Sequence, residues 1–300
     1  MKLAVFFPAS LFSAWACSYG LVDCLRRMGH EVTSAPIDPA TDKTFPIPVG
    51  VDGWIVSGPE HIGKFVLGRK HHDRPVVAWL HETVEREDYG KLDVDAIKRS
   101  ADVVFCPAIQ DEKYGFRYLP FGVDTEIFKP APTLKTIDAA FIGLLYPKRQ
   151  AFLKELKAQG VNLVTGNVQV LELGGVNPRK TAELYAENIR KIKVFVNLPT
   201  LSQLAVTKIY EVLACGTPVL TPKIERMDNF GDLPVAFYES TAQACAHQLA
   251  ISGIYFKKGN CSALYAERMK SHRLELRCEV LLSALKEIGA KSTHESLASA

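Results

Sequence analysis

The stretch KIYEVLACGTPVLTP, residues Lys208–Pro222, joins a helix to a strand and decides how the chain is organised. Its apolar residues recur with the 3.6-residue period of one helix face. These residues are Ile209, Val212 and Leu213. Cys215-Gly216 ends the helix, and the apolar residues after Gly216 begin a buried strand. The stretch therefore predicts one helix–strand step of a parallel α/β sheet.

The same alternation of short apolar runs and helical patterns extends through most of the chain, which is typical of βαβ units. The predicted strands are Lys2–Phe7, Glu31–Ala35, Gly53–Ser57, Pro75–Leu80, Asp102–Cys106, Arg117–Pro120, Ile137–Ile142, Val161–Val164, Val194–Leu198, Pro218–Thr221 and Val235–Tyr238. The predicted helices are Ala14–Met28, His61–Lys70, Val94–Ser100, Lys148–Gln159, Lys180–Lys191, Ala205–Ala214 and Ala242–Ala250, with two more after Asn260.

The length of 300 residues is about twice that of a typical domain, so two domains are expected. Phe128–Lys135 holds two prolines and no periodicity, which predicts an interdomain linker. The predicted parts are 1–130, 136–272 and a C-terminal helix, 273–300, that packs back toward the first domain. We expect two doubly wound, Rossmann-like α/β domains facing across a cleft, with ligands at the carboxyl ends of the strands.

The composition of the chain limits which binding partners and which cellular compartment are expected. The chain is 47% hydrophobic and 23% charged, with 36 Lys and Arg against 33 Asp and Glu, a net charge of +3. This balance does not favour nucleic acid or an anionic membrane as the main partner.

The seven cysteines form no CxxC pair and indicate free thiols in a reducing, cytoplasmic compartment. The first residues, MKLAVFFPASLFSAWAC, suit a strand and helix better than a secretory leader, because Pro8 breaks the apolar run.

Lys208 and Glu211 are three residues apart and share a face away from the apolar stripe. On an arbitrary helix they would form a surface ion pair. This helix, however, begins where its N-terminus would face the predicted cleft, and helix N-termini bind phosphate through unpaired N–H groups. Lys208 would add a positive charge there. The Glu211 carboxylate, one turn further, suits the two hydroxyls of a ribose.

Several segments, in the right order along nearly the whole chain, resemble retaining glycosyltransferases of the GT-B fold, in the large family numbered four. These segments are Lys208–Pro222, LPFGVDTEIFKP (Leu119–Pro130) and MGHEVT (Met28–Thr33). Further segments resemble the spore-maturation-protein-like branch of that superfamily. They are FIGLLYPKRQAFL (Phe141–Leu153), VFVNLP (Val194–Pro199), His272 and Arg277.

The resemblance implies a donor site in the second domain. Glu211 falls where the family holds the ribose of the sugar nucleotide, and Gln203, an amide in place of a carboxylate, falls where it contacts the hexose. The family's diphosphate-binding Arg is replaced by Leu144, whereas Lys148 fits its Lys. The remaining predicted donor contacts are Arg149, Gly143, Thr207 and Lys208. Lys148 and Arg149 also suit ordinary surface charges, but cations at a helix N-terminus favour a bound anion.

On the acceptor side, His81 follows a strand end where the family often has a functional histidine, although it also suits a loop histidine. Ser10 lies where the family has a Gly-rich loop near the transferred phosphate, and the paired glycines are absent. His81, Lys148 and Gln203 are therefore the predicted catalytic residues. No convincing DxD pair is present, so we expect a metal-independent enzyme that needs no cofactor.

The expected activity is transfer of a sugar, with retention of configuration, from a UDP- or GDP-sugar to a carbohydrate, lipid or protein acceptor, without stable membrane insertion. Three alternatives stay open at this point. The chain could be a GT-B epimerase or phosphorylase, or a non-catalytic sugar-nucleotide-binding module. It could also glycosylate modified DNA, as phage enzymes of this fold do, although the charge makes nucleic acid an unlikely partner.

Overall fold

The computed structural model describes most of the chain. The described residues are 1–8, 17–37, 48–62, 74–86, 90–166, 178–198, 204–224, 226–231, 233–255 and 262–298. The strands, in chain order, are β1 (Lys2–Pro8), β2 (Glu31–Ile37), β3 (Gly53–Ser57), β4 (Val76–Trp79), β5 (Glu85–Arg86), β6 (Gly90–Lys91), β7 (Val103–Cys106), β8 (Arg117–Tyr118), β9 (Ile137–Ile142), β10 (Val164–Gly166), β11 (Ile192–Val196), β12 (Val219–Pro222) and β13 (Val235–Tyr238).

Helices follow most of these strands, as a parallel sheet requires. The α-helices are α1 (Cys17–Arg27), α2 (Val94–Ser100), α3 (Pro147–Ala158), α4 (Pro178–Arg190), α5 (Thr207–Ala214), α6 (Ala242–Tyr255), α7 (Ser262–Arg268) and α8 (Leu274–Ala298). Short 3₁₀ helices occupy Pro59–His61, Ile109–Tyr114, Met227–Phe230 and Met269–His272. None of the described helices is long and apolar enough to cross a membrane.

The chain divides into two units, each built around its own parallel sheet. Unit 1 comprises Met1–Gly122 and Leu274–Ala300, and unit 2 comprises Val123–Arg273. Val123 belongs to unit 2 because its N–H donates to the carbonyl of His272, 2.9 Å away. The segment between residue 123 and the prolines of the predicted linker is therefore part of unit 2 in the structure.

The sheet of unit 1 has the strand order β2-β1-β3-β4-β7-β8, and the sheet of unit 2 has the order β10-β9-β11-β12-β13. Neighbouring strands in both sheets are parallel. The chain order reverses between β1 and β3 in unit 1 and between β9 and β11 in unit 2. Such reversal points open a crevice at the carboxyl ends of the strands, where ligands bind in this architecture.

The last helix belongs to the core of unit 1. α8 packs against α1, β3 and β4. A Cβ added at Gly53 would lie 3.0 Å from the Leu285 side chain, and one at Gly20 would lie 3.0 Å from Leu274. The absence of a side chain at these two glycines lets α8 approach the sheet and α1 closely. Leu281 and Leu285 are almost completely buried.

The α/β class with two parallel sheets that the sequence predicts is confirmed, and Gly53–Ser57, Val94–Ser100, Ile137–Ile142 and Val235–Tyr238 have the predicted bounds. The strand predicted at Val161–Val164 is wrong by a few residues, because Leu163 packs in the core as part of the connection and only β10 pairs with β9. α6 extends beyond its predicted end. The helix predicted at His61–Lys70 lies mostly outside the described residues.

We expect Leu281→Ala in α8 to lower the free energy of unfolding by about 3 kcal/mol, because it leaves a cavity under the sheet of unit 1. Glu279→Ala, at an exposed position of the same helix, is the matched control and should change it by less than about 0.5 kcal/mol. Urea unfolding followed by circular dichroism measures both. Similar losses for the two variants would contradict the placement of α8 in the core.

Candidate functional site

The main candidate site lies in unit 2, at the carboxyl end of β9, where the strand order reverses. Gly143 directly follows β9, and its N–H donates to the carbonyl of Gly166 at 3.0 Å. The first turn of α5, which begins at Thr207, lies beside this glycine through Lys208. The sheet therefore brings together the end of a strand and the start of a helix from distant parts of the sequence.

Lys208 lies directly against the backbone of Gly143. Its Nζ is 4.8 Å from the ring centroid of Phe141. A Cβ at Gly143 would overlap the Lys208 ammonium and would lie 2.8 Å from Cζ of Phe141. Glycine is therefore required here for close packing, because any side chain would displace the ammonium.

Arg149 places a second cation near the same ring. The residue is 7% exposed, and its guanidinium carbon lies 5.2 Å from the Phe141 centroid and 4.4 Å from that of Tyr146. Its Nη1 donates to the Leu144 carbonyl at 3.0 Å. Cations over aromatic faces are stabilised by the ring quadrupole, but the two cations repel each other.

Burial and the neighbouring Arg149 charge lower the pKa of Lys208 to about 7, although Glu211 opposes this shift. Burial likewise lowers the pKa of Arg149. Within the described part of the chain, no carboxylate lies within 4.0 Å of the Lys208 ammonium. A partly buried cation without a direct counterion favours a bound anion.

Glu211 lies one turn after Lys208 and is only 4% exposed. Its Oε2 is buried and, among the described residues, has no hydrogen-bond partner. Burial raises the pKa of Glu211 to about 8, while the charge of Lys208 lowers it. The Tyr185 side chain, which is completely enclosed, interacts electrostatically with this carboxyl from α4. Buried polar atoms are normally paired, so an unpaired carboxyl oxygen indicates a missing partner.

The other predicted donor-site residues have different environments. Thr207 is partly buried at the start of α5, whose N-cap residue, Val206, provides no side-chain cap. Lys148 is exposed at the start of α3, next to the buried Arg149. Leu144 is 48% exposed. Gln203 lies outside the described residues, and so does Ser10.

His81 lies in unit 1, two residues after the end of β4. Its Nε2 is 2.9 Å from the Ser57 hydroxyl, and its ring meets those of Trp79 and Phe121 edge-on, with centroids 6.1 Å away in each case. Gly58 has φ +66°, and a Cβ there would lie 3.1 Å from Nδ1 of His81. Burial lowers the pKa of His81 to about 3, so the imidazole is neutral at physiological pH.

The sequence analysis missed Glu60, which lies in the short helix after β3. The backbone N–H of His81 donates to Glu60 Oε1 at 2.6 Å, and burial raises the pKa of Glu60 to about 8. The available signal was its position, because Glu60 is the third residue after a correctly predicted strand, near the strand end where ligands bind. The sequence analysis also gave no role to Phe141, whose ring both cations approach, since an aromatic residue in a strand suits the core equally well.

No protein-family model and no curated protein matches the chain. Solved structures do match it. One is AviGT4, a glycosyltransferase involved in avilamycin A biosynthesis, at 14% identity and a TM-score of 0.61, with 97% of this chain and 98% of that chain covered. Another is an α-glucosyltransferase in complex with UDP and a 13-mer DNA, at 15% identity and a TM-score of 0.59, with 97% and 100% covered.

Sucrose-phosphate synthase from Thermosynechococcus elongatus is also similar, at 12% identity and a TM-score of 0.56, with both chains covered completely. At these identities the likeness shows the fold. The chain thus has the GT-B fold, and its candidate site lies in unit 2 at the strand reversal.

We expect Glu211→Gln to raise the free energy of unfolding more at pH 8.5 than at pH 5. The folded-state pKa of Glu211 lies above its unfolded value, so the stability that protonation provides is lost as the pH rises from about 4.5 through about 8. Glutamine keeps the shape of the glutamate side chain and cannot ionise. The two pKa values correspond to a gain at pH 8.5 relative to pH 5 of about 4 kcal/mol. Urea unfolding at both pH values measures it, and an equal effect at both would contradict burial of the carboxyl.

Proposed function

We propose that the protein is a glycosyltransferase that binds a nucleoside diphosphate sugar through unit 2. The observation that carries this proposal is the arrangement of Lys208 and Glu211, a cation without a direct counterion and a buried carboxyl oxygen without a partner on one helix face. A nucleoside diphosphate supplies both missing partners, an anionic diphosphate and a pair of ribose hydroxyls. The fold of known glycosyltransferases supports the same assignment.

In this proposal the diphosphate lies over Gly143, between Lys208 and the N-terminus of α5. Because Gly143 has no side chain, the Lys208 ammonium can sit at this strand end, and the first N–H groups of the helix provide further donors. Arg149 supplies a second positive charge beside the Phe141 ring. Glu211 accepts hydrogen bonds from the ribose, and these bonds favour its ionised form.

UDP is the proposed nucleotide, because structures similar to this chain contain UDP or UDP-glucose. In the transfer, the bond between the anomeric carbon and the diphosphate oxygen breaks, and a bond to the acceptor oxygen forms. The acceptor proton passes to the leaving phosphate. The cations stabilise the charge that develops on the diphosphate, which is electrostatic catalysis without a required metal.

The finer assignments rest on the family resemblance. They include retention of configuration and membership of family four and its spore-maturation-protein-like branch. They also include the domain division, with an acceptor-side domain at 1–130, a donor-side domain at 136–272 and a C-terminal helix from 273. The same resemblance supports catalytic contacts from His81, Lys148 and Gln203, and donor contacts from Thr207 and Ser10. A cytoplasmic location is part of the proposal, supported by the free, buried state of the described cysteines.

A second candidate is a non-catalytic module that binds sugar nucleotides. The observation that favours it is Leu144, which is 48% exposed at the position where the family has a diphosphate-binding arginine. Incubation with UDP-glucose separates the two candidates, because an enzyme of this class transfers the sugar slowly to water even without its acceptor. Binding of UDP without any release of glucose would support the module.

We expect Glu211→Ala to weaken UDP binding by about 1.5–3 kcal/mol, or roughly 10- to 150-fold, because a charge-assisted hydrogen bond to the ribose is lost. Isothermal titration calorimetry with UDP, alongside GDP, CDP and dTDP, measures the affinity and identifies the base. Lys154→Ala, an exposed change on α3, is the control and should leave binding unchanged. An unchanged dissociation constant for Glu211→Ala would contradict the proposed ribose contact.

Gly143→Ala should weaken UDP binding at least about tenfold, because the added methyl displaces the Lys208 ammonium and presses on the buried Phe141 ring. Circular dichroism of the variant checks that the fold is retained. The exposed change Lys154→Ala is again the control and should leave UDP binding unchanged. Equal UDP affinity in the wild type and Gly143→Ala would show that the diphosphate binds elsewhere.

A further inference from the structure

A second group of polar side chains lies in unit 1, where β3 and β4 end. The Nε2 of His61 is 3.5 Å from Oε1 of Glu82 and 3.7 Å from Oε1 of Glu60. The His61 side chain is 28% exposed and that of Glu82 is 33% exposed, whereas that of Glu60 is completely buried. An imidazole with one accessible edge is therefore placed between two carboxyl groups.

Glu60 is the unusual member of this group. Its Oε1 accepts the His81 N–H at 2.6 Å, but its Oε2 is buried and has no hydrogen-bond partner among the described residues. Burial, together with the charge of Glu82, raises its pKa. Burying a carboxyl with an unpaired oxygen costs stability, and such groups concentrate at functional sites.

Local backbone geometry places Glu60 there. Gly58 adopts a left-handed conformation after β3, and the Pro59–His61 turn follows it immediately. This turn directs Glu60 toward the backbone after β4, with His61 next to it. The group therefore depends on two neighbouring strands that end at the same edge of the sheet, the edge at which ligands bind in parallel α/β sheets.

We propose that Glu60, His61 and Glu82 bind a hydroxyl of an uncharged or aminated carbohydrate acceptor. This proposal rests on the glycosyltransferase function proposed above. A hydroxyl both donates and accepts, so it can donate to the Glu82 carboxylate while it accepts from the imidazole. Adjacent hydroxyls of a sugar ring are spaced to engage both side chains. His61 and Glu82 are the accessible contacts, and Glu60 positions them from beneath.

The negative charge of Glu82 disfavours acceptors that carry phosphate groups. The Glu82 carboxylate at the accessible edge repels phosphate groups, and His61, when protonated, is already paired with this carboxylate at 3.5 Å. The site thus favours a sugar without phosphate, or an amino sugar, over a phosphorylated sugar or DNA. This preference would separate the chain from the similar α-glucosyltransferase whose structure contains DNA.

Histidine NMR on the full-length, ¹³C-histidine-labelled protein tests the proposal in the presence of UDP. The His61 resonance is assigned with the variant H61N. The probes are methyl α-glucoside, glucosamine, glucose 6-phosphate and a 13-mer DNA duplex. Each sugar is added at up to about 100 mM, so that dissociation constants in the millimolar range are detected. We expect the two sugars without phosphate to shift the His61 signal, and glucose 6-phosphate and DNA to leave it in place.

The variant Glu82→Gln should weaken the glucosamine response about tenfold, because it removes a charge-assisted hydrogen bond, whereas Glu279→Gln on α8 should not. No His61 shift with either uncharged or aminated sugar, or a larger shift with glucose 6-phosphate or DNA, would overturn the proposal. UDP binding is measured in the same samples. A His61 response without UDP binding would refute the donor site and leave the carbohydrate site standing.

Discussion

The candidate donor site depends on a close contact between a lysine ammonium and a glycine backbone. Lys208 lies over Phe141 only because Gly143 has no side chain, and Arg149 approaches the same ring. Two cations near one aromatic ring repel each other, and no carboxylate among the described residues pairs directly with Lys208. In the proposed complex, a diphosphate would relieve this repulsion, and that relief would contribute to the free energy of binding.

The parallel sheet of unit 2 makes this contact possible. β9 delivers Phe141 and Gly143, and the crossover that returns through α5 delivers Lys208 and Glu211 from about 65 residues later in the chain. The reversal of strand order between β9 and β11 places Gly143 at the kind of position where ligands bind in parallel α/β sheets. In unit 1, the neighbouring ends of β3 and β4 also bring together side chains from separate parts of the sequence, here two histidines and two glutamates.

Much of the fold could be predicted from the sequence, because parallel strands are short apolar runs and their helices are amphipathic. Glu211 and Lys208 could be identified because they share a helix face that the apolar stripe leaves free. Arg149 and Lys148 could not be told apart in this way, since adjacent residues at a helix start differ in burial only through tertiary packing. Glu60 was missed for a related reason. Its burial is set by the left-handed turn at Gly58 and by the His81 N–H, both of which depend on the folded chain.

The central claim is that Lys208 and Glu211 hold the two halves of one nucleoside diphosphate. A crystal structure of the protein grown with UDP tests it most directly. The account predicts density for a diphosphate oxygen within about 3.2 Å of the Lys208 Nζ and for the ribose hydroxyls at Oε2 of Glu211. Density for UDP away from Gly143, or a ribose that leaves Glu211 Oε2 without a partner, would contradict it.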